Sequence, residues 1–431
     1  MKTIVIIGGG ISGLATLHYL NQRFGQSARI TLYERNNHVG GNIHTIAEEG
    51  FLFELGPNGF LSNQPTTLAF INELGLNNQL VEANAKAKKR YVQVKGRLEA
   101  FPSDPISFTN FQPFSYLDHL RLMAEFLMPK RDNSKETVEE FVRRRCGQKT
   151  ADFLIDPFVS GVFAGDIKRL HMASAFPKMV AMENEYGSLI KALIARKKQG
   201  IKPAVMHSFV KGMGQLIYAL ADKYKGHIKT SVPIESIDDV IADHKIIAAP
   251  AYTASRILNA RYPLLAKDLD DIVYAPIVVA GFGFAPGAFK RKPKGFGYLV
   301  PSNQRKEVLG VLIESHVFPN RAPIGQVMLR VMLGGRHHPQ VANDDPKDLI
   351  NQALKELNSI YGLKESPICQ WVKVWPKAIP QYETHYPHLR QSIRAQLNQI
   401  KGLSLVGNYL DGISFNDSIH FSRQQAYALE L

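Results

Sequence analysis

Cysteine is nearly absent from this chain: Cys146 and Cys369 are the only two among 431 residues. Two thiols cannot build a disulfide framework, and neither lies in a metal-ligand spacing, so a reducing compartment is expected. Long apolar runs are missing as well. No uninterrupted stretch of about eighteen apolar residues occurs, which excludes an expected transmembrane helix. The first apolar run starts at Lys2 and leaves no room for a signal peptide. Acidic residues are outnumbered, 38 Asp and Glu against 52 Lys and Arg, for a net charge of +14. Such an excess favours an anionic partner: nucleic acid, anionic lipid or an acidic small molecule. No helix-turn-helix, zinc-finger or RNA-binding signature accompanies it, so no nucleic acid is expected. The length allows two or three domains, and an apolar fraction of 45% suffices for a sizeable core.

What is present is concentrated at the start. Residues 2–7 read KTIVII, a β-branched run that predicts a strand. Gly8, Gly9, Gly10, Ile11, Ser12 and Gly13 follow at once, then a helical pattern from Leu14, then a second strand pattern that ends at Glu34. Strand, glycine turn, helix, strand and acid together are the context in which a glycine pattern predicts dinucleotide binding. Gly8 permits the tight turn, Gly10 lets the backbone approach a pyrophosphate, and Gly13 lets the helix pack on the strand. The helix N-terminus offers free N–H groups and partial positive charge to phosphates. Glu34 can accept hydrogen bonds from both ribose hydroxyls and would repel a 2′-phosphate. The glycine pair Gly40 and Gly41 follows Glu34 closely, an arrangement that resembles FAD-binding flavoprotein oxidases more than dehydrogenases.

Further along, residues 51–60 predict a strand running into a glycine turn, and residues 91–98 a hairpin turning at Lys95 and Gly96. Residues 114–130 are amphipathic and basic at their end. Ser134 reads as a helix start, and 153–163 and 173–193 as further helices. Residues 113–202 thus form a mainly helical insert rich in Phe, Leu, Met, Lys and Arg, which predicts either a membrane-interface element or an ordinary helical subdomain. Alternating α/β texture returns after Gly200, with strands expected at 228–234 and 244–249. Antiparallel strands are expected at 277–283, 296–300, 307–314 and 326–333, an amphipathic helix at 345–361, and a last strand at 403–408 before a final helix. Basic residues cluster at Lys86, Lys88, Lys89, Arg90, Lys95 and Arg97, and again at Lys290, Arg291, Lys292 and Lys294. Most such lysines are expected on solvated faces.

Several longer motifs in one order resemble the protoporphyrinogen oxidase family of the monoamine oxidase-like flavoproteins. They are GPNGF at 56–60, SGVFAGD at 160–166, GFGYLVPSN at 295–303, VMLGG at 331–335, KAIPQY at 377–382 and GNYLDGISFNDSI at 407–419. The resemblance implies an α/β fold: a discontinuous Rossmann-type FAD-binding domain, an α+β substrate-binding domain and a helical membrane-facing insert. The expected pieces are 1–88, 203–258 and 395–431 for the first, 89–112 and 259–394 for the second, and 113–202 for the insert. It implies non-covalent FAD at Gly8, Gly9, Gly10, Ile11, Ser12, Gly13, Glu34, Arg35, Gly41, Asn42, Gly56, Pro57, Asn58, Gly59, Val232, Ile413, Ser414 and Phe415. It implies a substrate pocket in which Arg90 pairs a propionate and Tyr91, Gly161, Phe296, Gly297 and Leu299 surround the macrocycle. Two departures stand out: Asp417-Ser418-Ile419 where the family has Asp-Cys-Ile, and Phe421-Ser422 where Ser-Gly usually follows.

The implied reaction removes six hydrogens from a porphyrinogen in three two-electron steps, with oxygen or another acceptor receiving the electrons, in haem biosynthesis. A carboxylate-bearing apolar macrocycle calls for an apolar pocket with a guanidinium anchor. No general base is evident; the histidines are scattered, and His337-His338 lacks further metal ligands. The shared motifs leave coproporphyrinogen open as substrate, and a flavin- or porphyrin-binding protein without activity is the reading from another class. An amine oxidase is disfavoured by the porphyrinogen-type motifs. A cytoplasmic protein resting peripherally on the membrane is expected, and a ferrochelatase-type partner and a homodimer stay open.

Overall fold

A computed structural model describes residues 1–102, 105–131, 135–200 and 203–430. Ser134 lies outside the described residues. Its neighbour Thr137 caps the helix Val138–Cys146, closing a capping box with Glu140.

The organising layer is a five-stranded parallel sheet in the order Ile228–Lys229, Ala28–Tyr33, Lys2–Ile7, His244–Ile247, Leu403–Leu405. All four pairings are parallel. Parallel strands need both faces covered, which is why Ile4, Ile6, Ile30, Leu32, Ile247 and Leu405 are all buried. Helices Ile11–Phe24 and Phe415–Ala428 close one face through Leu14, Leu17, Leu20 and Ile419. The other face is closed by residues of 251–272 and 386–397, with Leu265, Leu269 and Ile393 packed on Val5, Ile247 and Leu405. Residues 259–272 and 386–394, expected in the substrate-binding domain, place Leu265, Leu269 and Ile393 in one apolar cluster with this sheet.

The second layer is a seven-stranded sheet in the order Cys369–Pro380, Tyr274–Phe284, Val327–Gly334, Val308–Leu312, Gly297–Leu299, Arg90–Val94, Arg97–Ala100. Every pairing is antiparallel except the one that sets Gly297 opposite Arg90. The twelve-residue strand Cys369–Pro380 was not expected: Lys373, Pro376 and Lys377 break its apolar pattern. It runs along the sheet edge, where a proline is tolerated, and the pairing slips at Ala275/Ile277. One face of this sheet buries against the helix Pro346–Tyr361 through Val331, Leu333, Leu349 and Leu357. The other face meets the strand Phe51–Glu54. Gly281 and Gly283 make that approach possible, since a Cβ on Gly281 would lie 2.5 Å from the Phe53 ring and one on Gly283 2.6 Å from Phe51.

The described residues of 113–131 and 135–200 are helical in short pieces. The stretch expected as one helix at 173–193 is three, Met172–Ala175, Pro177–Tyr186 and Leu189–Lys198. Pro177 starts the second, and Gly187, at φ +73°, ends it. The pieces are tied by buried charge. Arg145 is fully buried and pairs with Glu125 at 2.5 Å and Glu183 at 2.6 Å, both fully buried themselves. Glu125 also accepts from the Ser188 hydroxyl and the Leu189 N–H. Arg144 joins Glu183 to Glu136. Among the described residues, no helix is long and apolar enough to cross a membrane.

Candidate functional site

The glycine turn behaves as its sequence predicts. Gly8 sits at φ +113°, and a Cβ there would lie 2.7 Å from the Ala248 carbonyl oxygen. Gly13 is more constrained, since its Cβ would fall 1.9 Å from the Gly8 carbonyl oxygen. Gly10 is the N-cap of Ile11–Phe24 and provides no side-chain cap, so the first-turn N–H groups of Ile11, Ser12 and Gly13 have no capping side chain. A Cβ on Gly10 would have no neighbour nearer than the Gly41 Cα at 3.9 Å. Unpartnered donors beneath open space fit a pyrophosphate.

Glu34 ends its strand 7% exposed. One carboxylate oxygen accepts the Gly9 N–H at 2.7 Å, and the other accepts the backbone and side-chain N–H groups of Asn36 at 2.8 and 2.7 Å. Oε1 has both lone pairs taken by Asn36, so Oε2 is the oxygen that keeps a lone pair for a ribose hydroxyl. The Glu34 carbonyl accepts the Val232 N–H at 2.9 Å. Val232 is therefore placed beside the acid with its N–H already used, and only its carbonyl is left for a base. Arg35, Gly41 and Asn42 are exposed on the loop that follows Glu34, and Gly40 bridges back to Gly10.

The turn of Gly56, Pro57, Asn58 and Gly59 closes the far end. Phe60 stacks 5.3 Å from Phe415, which brings this turn to the N-terminus of the final helix. Ser414 caps that helix in a capping box with Asp417, while Ile413 packs toward the helical insert. The two family departures are accommodated here. Ser418 donates to the Ser414 carbonyl, and the Ser422 hydroxyl donates to the Ser12 carbonyl at 2.9 Å, tying the last helix to the first.

The expected substrate residues divide between two faces. The Arg90 guanidinium lies 4.6 Å over the Phe296 ring. No carboxylate pairs with it among the described residues. Gly297 is opposite Arg90 and Leu299 opposite Val92. Gly161 meets Leu299 so closely that a Cβ would lie 2.7 Å from its Cδ2. Tyr91 points elsewhere. Alternation along the strand turns its ring into the cluster under the helix Pro346–Tyr361, on the face opposite Arg90. The family resemblance set it around the macrocycle with Arg90, and adjacency in a strand separates faces.

A set of charges at the seam between the two layers was not anticipated. Glu54 pairs with Arg321 at 2.9 Å, and Glu314 with Arg330 at 3.5 Å, all four buried. Burial pushes the Glu54 carboxyl up to about 7, against the pull of Arg321, the Thr45 hydroxyl and the Met213 N–H. Asn58 donates to Glu314 at 3.4 Å, and Arg330 donates to the Gly56 carbonyl. Single acids and arginines in β-rich stretches carry no sequence signal of pairing across some 270 residues. The cysteines take no part, and burial pushes the Cys146 thiol up to about 12.

Comparison with known proteins gives the family. The flavin containing amine oxidoreductase family matches residues 11–429. The chain is 31% identical to the chloroplastic protoporphyrinogen oxidase of Nicotiana tabacum, over 95% of this chain and 82% of that one. It is 26% identical to the coproporphyrinogen III oxidase of Bacillus subtilis, over 97% and 96%. A provisionally assigned protoporphyrinogen oxidase from Exiguobacterium sp. 255-15 superposes with a TM-score of 0.85 at 22% identity, over 99% of this chain and 98% of that one. The cyclohexylamine oxidase of Brevibacterium oxydans IH-35A superposes with a TM-score of 0.72 at 15% identity, over 99% and 98%. The chain belongs to the flavin containing amine oxidoreductase family.

Proposed function

We propose that this chain oxidises protoporphyrinogen IX to protoporphyrin IX with bound FAD. The single observation that carries the reading is Arg90: a guanidinium stacked on Phe296, free of any carboxylate among the described residues, at the edge of an apolar sheet face. The flavin turn lies close by, because the Phe296 carbonyl accepts the Ile313 N–H and the next residue, Glu314, holds Asn58. Bound FAD supplies a two-electron acceptor, used three times per porphyrin. The residues of the chain bind and orient. Arg90 grips a propionate, Gly297 and Leu299 give the macrocycle a flat apolar seat, and Gly161 admits Leu299 to close it. Positioning, and no side-chain acid or base, is the main contribution.

Coproporphyrinogen III is the second reading, and the site's rim favours it. The Phe296 N–H donates to the Lys89 carbonyl at 2.8 Å, which brings the exposed Lys294 near the exposed Lys88. Added cationic charge beside Arg90 suits a substrate with four carboxylates, while the Lys89 ammonium lies over Tyr91 on the other face. The deciding experiment is porphyrin fluorescence from the purified yellow protein supplied with each porphyrinogen in turn. Replacing Arg90 with Ala is expected to lower kcat/KM about 10- to 100-fold, mostly through KM, as ~1.5–3 kcal/mol of charge-assisted bonding is lost. An unchanged kcat/KM would remove Arg90 from the site.

The same reading takes the helical insert as a membrane-facing element and the protein as peripheral on the cytoplasmic face. Tyr116, Leu117, Met123 and Leu127 are between 63% and 77% exposed, and Leu193 and Ile194 are more than half exposed. Lys191, Arg196, Lys197 and Lys198 share the helix with the last two. An apolar stripe with basic flanks suits an anionic interface. Flotation with anionic liposomes should carry the wild type, and Leu117→Glu/Leu127→Glu should stay at the bottom of the gradient. Equal flotation of both proteins defeats the assignment. A homodimer and a ferrochelatase-type enzyme receiving the product belong to the same proposal.

A further inference from the structure

The flavin turn is gripped from behind by an ion pair that belongs to the opposite layer. Arg330 lies on the strand Val327–Gly334, and Glu314 follows the strand Val308–Leu312. Both face the turn. Arg330 donates to the carbonyl of Gly56, its first residue, and Glu314 accepts from Asn58, its third. The side chain of Glu314 is fully buried and that of Arg330 is 7% exposed. Neither charge is fully satisfied, since Glu314 Oε1 and Arg330 Nε have no hydrogen-bond partner. A buried pair with loose geometry, 3.5 Å apart, is a poor stabiliser compared with apolar residues of the same volume. Its position at the turn gives it a different use.

The neighbouring pair differs in kind. Arg321 is held 2.9 Å from Glu54 and also donates to the Ser208 hydroxyl and the Phe209 carbonyl, although its Nε, like that of Arg330, has no hydrogen-bond partner. That pair latches two backbone segments together and makes no contact with the turn. Glu314 is nevertheless close enough to raise the Glu54 carboxyl, so the seam is one electrostatic unit.

We propose that Glu314 and Arg330 are positioning residues that clamp the Gly56–Asn58 turn from the substrate-side sheet and set the electrostatic potential beneath the flavin. The inference rests on the FAD reading of the turn. Reduction places additional negative charge on a flavin, so a nearby buried cation favours the reduced form and a nearby buried anion opposes it. The pair acts as two opposed biases of nearly equal size, at low dielectric, on a cofactor that must both accept electrons from substrate and release them to an acceptor.

The test is a spectroelectrochemical titration of the purified holoprotein. Glu314→Gln, which keeps the shape and removes the charge, should raise the midpoint potential by at least a tenfold change in the oxidised-to-reduced ratio, ~30 mV for a two-electron couple. Arg330→Gln should lower it by a comparable amount. The double variant Glu314→Gln/Arg330→Gln should return close to the wild-type value while binding FAD more weakly, because the clamp is gone. Glu314→Asp should keep the sign of the wild-type charge and restore most of the potential. If both single variants shift the potential the same way, or if Glu314→Gln leaves it unmoved, the proposal is overturned. Should Arg330→Gln fail to fold, Glu314→Gln alone decides between these outcomes. A wild-type protein that purifies without flavin would instead sink the cofactor assignment, which is a separate failure.

Discussion

Gly13→Ala should give a protein that folds but no longer retains FAD. The added Cβ would sit 1.9 Å from the Gly8 carbonyl oxygen and 3.3 Å from the Ala248 side chain. The first contact is with backbone, so no rotamer change relieves it, and the helix Ile11–Phe24 must slide or tilt away from the strand Lys2–Ile7. The parallel sheet, covered on one face by Leu14 and Leu17 and on the other by Leu265 and Ile393, keeps enough core to hold its shape. What moves is the row of N–H groups beneath the pyrophosphate, and donors displaced by even an ångström lose a preorganised, charge-assisted set of bonds. A loss of at least about 100-fold in FAD affinity is expected, ~2.7 kcal/mol. The ratio of flavin to protein absorbance after gel filtration measures it, with calorimetric titration of FAD into the apoprotein as the quantitative check. A variant that elutes fully yellow and releases FAD at the wild-type rate contradicts the assignment of this turn.

Arg145→Met should cost about 3–5 kcal/mol of stability, localised in the helical insert. The substitution leaves Glu125 and Glu183 facing each other with no exposure and no shared cation. Arg144 still reaches Glu183, but it is already engaged with Glu136. Removing one partner of a buried network is far worse than removing all of it, because the remaining charges stay desolvated. Limited proteolysis should open the insert first, with cleavage near 124–131 at temperatures where the parallel sheet still retains flavin. The triple variant Arg145→Met/Glu125→Leu/Glu183→Leu should recover a good part of the loss. If Arg145→Met melts within a degree of wild type, the network is not what holds the insert.

How much was legible in the sequence depends on how local each signal is. The strand, turn and helix of residues 2–24 carry their own instructions, since β-branched residues, glycines and helical spacing lie side by side. The hairpin at Lys95 and Gly96 does too, with both residues at positive φ. Arg90 stood out because a family motif fixed its place, and the sheet does set it against Gly297. Tyr91, which the resemblance set with Arg90, packs on the other sheet face, because facing is decided by strand alternation. The strand Cys369–Pro380 was hidden by its lysines and proline, residues an edge strand tolerates and a central one does not. The four charges at the seam were invisible for a different reason: each is ordinary alone, and the sheet order that brings Glu54 and Gly56 against residues 314, 321 and 330 is a property of the whole chain. Ser418 and Ser422, read as departures, turned out to serve the helix itself by bonding to Ser414 and Ser12.

The pairing of the first helix with the last bears on how the protein is made. Arg23 donates to the carbonyls of Ala426 and Tyr427, and Ser422 reaches Ser12. The edge strand Leu403–Leu405 completes the parallel sheet only after nearly all of the chain exists. During synthesis, the glycine turn therefore waits for the last helix that covers its sheet until residue 428 has left the ribosome. FAD capture is then a late event, and the half-built domain exposes Leu14, Leu17 and Leu20 for most of that interval. Such non-local closure folds slowly. Cells that make this protein faster than they supply folding assistance should accumulate it as aggregate.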